Sequence, residues 1–104
     1  MGTYLFVYHG GRMPSSPDEG QQAMAAWGQW FGSMGADVVD GGNPVGASTT
    51  VNHDGSVVGN GGANPTTGYS VVTARDLNDA IAKAKGCPIL LMGGSVELAE
   101  TFAP

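Results

Sequence analysis

Gly68–Pro88, GYSVVTARDLNDAIAKAKGCP, is the stretch from which the fold can be read. Tyr69 to Ala74 reads as a strand, because Tyr, Val and Thr suit a pleated, half-buried surface. Asp76 stands where a helix N-cap belongs, and Asp79 three residues on favours the positive helix end. Leu77, Ala80, Ile81 and Ala84 share one helical face, so a helix over Leu77–Lys85 is predicted. Lys83 and Lys85 lie in its last turn. Gly86 offers a left-handed stop, and Pro88 forbids resumption. The stretch is one half of a β-α-β unit.

Working outward, a last strand is predicted at Ser95–Leu98, and a polar, Gly- and Asn-rich loop precedes the stretch at Gly59–Thr67. Before that loop, residues 47–51 and Ser56–Val58 read as two short strands. Asp54-Gly55 between them is the pair a type I′ hairpin turn prefers. Ala36–Asp40 is another strand, closed by Gly41-Gly42-Asn43-Pro44. Ser16-Pro17-Asp18-Glu19 is a helix start: Ser16 as cap, Pro17 in the first helical position, Glu19 completing a capping box. From there Ala23, Met24, Trp27, Trp30, Phe31 and Met34 recur at helical spacing, and Gly35 ends the helix Pro17–Met34. Its aromatic stripe is expected in the core rather than in a ligand cage. The first strand, Tyr4–Tyr8, is apolar at both parities, which means burial on both sides.

The long elements therefore run β-α-β, hairpin, β-α-β, a ferredoxin-like α+β arrangement. Right-handed crossovers place both helices on one face of an antiparallel sheet. The other face is left bare, although Tyr4–Tyr8 is apolar on both sides. A second subunit is the natural cover, so a homodimer is expected.

The totals narrow the function. The chain has 104 residues, enough for one domain with a modest core. Its hydrophobic content of 41% excludes a disordered chain. Four basic residues against nine acidic ones leave a net charge of −5, which offers no footprint for a phosphate backbone; nucleic acid is not an expected partner. No apolar run approaches a membrane span, no signal segment is legible, and a lone Cys87 fits a reducing compartment. A cytoplasmic protein is expected. Cys87 has no basic neighbour and reads as a buried structural thiol. His9, His53 and Cys87 make no metal-ligand spacing, and Gly59-Asn60-Gly61-Gly62 lacks the helix a phosphate loop needs, so no cofactor is expected.

Two residues are candidates for chemistry. His9 ends the first strand and Asp40 the second, each just before a Gly-Gly pair. A His held by a carboxylate is a general-base arrangement near physiological pH. If the two strands lie close, His9 and Asp40 form a dyad beside Tyr8, with the Gly59–Thr67 loop as a wall; otherwise they are two polar strand ends. His53, in the hairpin turn, is the weaker candidate.

The order strand, Ala74-Arg75-Asp76-Leu77, Ala80, Cys87-Pro88, Gly93-Gly94-Ser95-Val96-Glu97-Leu98 resembles the YCII-related family, including the branch named for a DGPF motif. The resemblance implies a dimeric α/β barrel of ferredoxin-like halves, a single YCII-related domain over 1–104, and a pocket for an aromatic or other small organic molecule. It also implies cofactor-free proton-transfer chemistry of lyase or isomerase type, with a non-catalytic ligand-binding dimer as the alternative. Many relatives pair a His in the first helix with an Asp after the second strand. Counting back from Gly35, the helical His position holds Met24 here, which with Tyr8 becomes a candidate ligand contact; the Asp corresponds to Asp40. Where the family has DGPF, this chain reads Gly61-Gly62-Ala63-Asn64.

Overall fold

The structure is a computed structural model describing residues 1–104. Six strands and two helices follow in the order β1 (Gly2–His9), α1 (Pro17–Met34), β2 (Val38–Asp40), β3 (Thr50–Val51), β4 (Val57–Val58), β5 (Thr66–Ala74), α2 (Leu77–Ala84) and β6 (Ser95–Glu100). Four strands make one sheet in the order β2-β5-β1-β6, and β3 with β4 form a separate ribbon. Every pairing is antiparallel. This is the ferredoxin-like split β-α-β, with the two strands leading into helices, β1 and β5, at its centre.

Register assigns the faces. Tyr4, Phe6 and Tyr8 of β1 stand opposite Val72, Ser70 and Gly68 of β5. They are buried under α1 and α2 with Trp30, Met34, Ala80 and Ala84. Leu5 and Val7 stand opposite Val71 and Tyr69 on the other face, which no helix covers; all four are half-buried. α1 crosses the sheet on its aromatic stripe, and Trp30 Nε1 donates to the Lys83 carbonyl at 2.9 Å. That bond anchors α1 to the end of α2.

Local signals set the ends of the helices. Ser16 Oγ accepts from Glu19 N–H at 3.1 Å, and Asp76 Oδ1 from Asp79 N–H at 2.8 Å. The reciprocal half of the capping box does not form, because the Glu19 carboxylate is taken by Ser15 and Arg12 instead. Gly35 stops α1 at a positive φ, 57°, that side chains with a Cβ rarely adopt. Gly86 does not, contrary to the expectation. It serves close approach: a Cβ there would sit 3.2 Å from the Trp30 ring.

Other differences have local causes. The residues after Gly35 wind into a short 3-10 turn over Gly35–Asp37, so β2 starts only at Val38. A second 3-10 turn, Pro88–Met92, joins α2 to β6, and β5 reaches back into the predicted loop. In the hairpin, Gly55 N–H donates to the Asn52 carbonyl, and Gly55 alone takes a positive φ, 86°. The turn is therefore centred on His53-Asp54 with a glycine bulge, not the type I′ turn on Asp54-Gly55, which needs positive φ at both central residues.

Candidate functional site

A cavity of about 510 Å³ opens between α1 and one end of the sheet. Trp27 and Phe31 wall it from the helix, with Met24 at the rim. Tyr8 closes the sheet side; the turn Gly41–Pro44, the start of β5 and Ile89 complete it. The rings brace one another. Tyr8 meets Trp27 edge-to-face at 5.0 Å, and Trp27 lies 5.9 Å from Phe31. The aromatic stripe thus divides: Trp30 is core, whereas Trp27 and Phe31 are only partly buried.

Two glycines keep the space open. A Cβ on Gly42, whose φ is 71°, would overlap the Tyr69 carbonyl. One on Gly68 would lie 3.2 Å from the Tyr8 ring. Tyr8 is itself tied down: its hydroxyl donates to Ser70 Oγ at 2.7 Å, and Ser70 Oγ donates to the Gly41 carbonyl at 2.7 Å. Burial pushes the Tyr8 phenol well above its ordinary value, outweighing the bond to Ser70. No His, carboxylate or cation reaches the cavity.

His9 sits on the opposite, open face. Its Nε2 lies 2.8 Å from Glu97 Oε1 and its Nδ1 3.3 Å from the Pro65 carbonyl. Both partners only accept, so the ring that satisfies both is the imidazolium, donating from each nitrogen. The bond to Glu97 accordingly raises the His9 pKa, opposed by burial and helped by the Pro65 carbonyl. No metal-binding cluster of three or more His, Cys, Asp or Glu side chains gathers anywhere in the fold. Cys87 is buried, and desolvation pushes its thiol up to about 11, as an inert thiol requires.

The structure brings Tyr8 and Met24 to one cavity and does not bring His9 and Asp40 together. β1 and β2 do not lie side by side as the dyad requires: β5 runs between them, two strand spacings or about 10 Å of backbone. The Asp40 carboxylate accepts from Gly42 N–H at 2.8 Å and so shapes the turn at the cavity wall. The carboxylate beside His9 is Glu97, which the sequence reading missed. Pairing β6 antiparallel to β1 is the signal that finds it: Val7 stands opposite Glu97, and His9 opposite Ser95.

No family model matches the chain, and no curated protein matches it in sequence. Among solved structures it is similar to 5-chloro-2-hydroxyhydroquinone dehydrochlorinase from Burkholderia phenoliruptrix, solved in complex with 2,5-dihydroxybenzoquinone. The TM-score is 0.56 over 96% of this chain and 95% of that one, at 16% identity. At such identity the likeness speaks for the fold alone, an α+β unit with an antiparallel sheet and two helices. No helix is long and apolar enough to cross a membrane.

Proposed function

We propose that residues 1–104 form one YCII-related domain that works as a cytoplasmic homodimer and binds a small, flat, neutral organic molecule, aromatic by preference, between α1 and the sheet. The carrying observation is the cavity: its size lies in the range of small-molecule sites, three aromatic rings wall it, and no charged side chain lines it. An anionic ligand finds no cation there. A neutral ring finds stacking partners and, at the Gly41–Pro44 turn, backbone groups to fix its edge. The position where the resemblance expects a helical base holds Met24, a soft apolar contact that cannot take a proton. Binding without chemistry is the function that lining supports.

The test is a titration of the purified protein with matched neutral and carboxylated benzoquinones and hydroquinones, followed by tryptophan fluorescence and calorimetry. Neutral rings should bind and quench Trp27. Binding lost in Trp27→Ala but kept in His9→Gln is the expected pattern, and no saturable binding by any planar ring sinks the reading.

A second reading, a cofactor-free proton-transfer enzyme of lyase or isomerase type, is favoured by one observation: the 2.8 Å bond between His9 and a carboxylate. There His9 would carry the proton and Glu97 would do the orienting work first assigned to Asp40. The fully bonded imidazolium weighs against it, since a general base needs a free lone pair. Turnover abolished by His9→Gln with ligand affinity retained would install this second reading.

A further inference from the structure

We propose that the β3–β4 hairpin is an arm that packs on a second copy of this chain and completes the interface between the two. This rests on the paired state proposed above. Apart from each other, neither β3 nor β4 packs substantially against any element of its own chain. A two-stranded ribbon alone is marginal in water and needs a further surface. Val51 and Val57 stand directly opposite in the ladder, so they share one face of the ribbon, 69% and 65% exposed. Between Val45 and Pro65 the arm carries no charged side chain except Asp54 at the turn, so a highly charged partner has little to grip.

Area and continuity favour a second copy. The chain exposes 6715 Å², whereas a folded monomer of 10.5 kDa exposes about 5,400 Å². The excess of about 1,300 Å² exceeds the roughly 800 Å² that each partner buries in a stable pair. The radius of gyration, 14.9 Å, is likewise larger than the ~13 Å of a compact chain this long. At its root the arm runs straight into β5: Pro44 bridges Gly68, and Val45 N–H donates to the Thr67 carbonyl. β5 then carries Tyr69 and Val71 across the open face, opposite Val7 and Leu5. The arm and the bare sheet face are thus consecutive parts of one apolar surface. A two-fold pair is self-complementary, so each arm can cover its partner while its own chain is covered.

Analytical ultracentrifugation over a concentration series compares the full chain with the double variant Val51→Asp/Val57→Asp, whose folding is checked by circular dichroism. A dimer that dissociates at least tenfold more readily in the variant is expected. A dimer of unchanged strength overturns the arm and leaves the paired state standing, even where lipid vesicles prove to bind the valines instead. A wild-type monomer overturns both. Should the double variant misfold, a spin label on Val57→Cys, with Cys87 buried, is mixed with isotope-labelled unmodified chain. Broadening of the Leu5 and Val7 amides across the pair is expected, and its absence overturns the arm.

Discussion

The two faces of β1 divide the chain's chemistry. On the helix side, Tyr4, Phe6 and Tyr8 lie under α1 and α2, and the cavity that Tyr8 closes holds no His, carboxylate or cation. On the other side, Leu5 and Val7 lead to His9, which is hydrogen-bonded at both nitrogens and does not line that cavity. One face has room but no proton carrier; the other has a proton carrier but no lone pair to offer. Side-chain alternation assigns each residue to a face. Whether two polar strand ends meet depends on strand order, which alternation does not contain.

The comparison breaks first, and most expensively, at Trp30. It is buried at 6% exposure, and its indole N–H ties α1 to α2. Trp30→Ala should cost about 3–5 kcal/mol in denaturant titration, through lost transfer energy and the cavity left behind. A cost below that of a surface change would mean that the helix-covered face is not the core. Trp27→Ala probes the same face differently, since this ring is only partly buried and borders the cavity. Its ligand affinity should fall at least tenfold, about 1.4 kcal/mol, while the fold survives. Unchanged affinity would detach the cavity from function.

Much of this was legible because neighbouring residues decide it. Ser16 and Asp76 cap their helices as read, and Gly35 stops α1. Ser16→Ala should cost about 1 kcal/mol, well under Trp30→Ala, as equilibrium unfolding will show. What was illegible depends on distant parts of the chain. Gly86 looked like a helix stop but is small because Trp30, far away in sequence, lies against it. Asp40 looked like a partner for His9 but bonds two residues ahead of itself. Glu97 gives no local signal of a role, and only the β1–β6 register places it beside β1. A cavity between a helix and a sheet end has no sequence period at all.

The smallest expected effect lies on the open face and is confined to a pH window. The pKa of His9 is raised above the ordinary 6.5, chiefly by the bond to Glu97. A raised folded-state value means that the folded chain holds a proton the unfolded chain has released. The stabilisation is therefore complete below the unfolded value and is lost as pH rises through the folded one. Unfolding free energy should fall as pH climbs from about 6 towards 8, and His9→Gln should remove that slope while leaving the alkaline plateau nearly unchanged. Glu97→Gln should shrink the slope without abolishing it, because the Pro65 carbonyl still accepts from the ring. His53, exposed in the hairpin turn, is present in every variant and cancels in the differences. The slope is small because Glu97 is two-thirds exposed, and water competes for its carboxylate. Denaturant titrations across this range decide the matter. A stability that rises with pH, or a slope that persists in His9→Gln, would show that the ring is not held as an imidazolium, and would return to His9 the lone pair a general base requires.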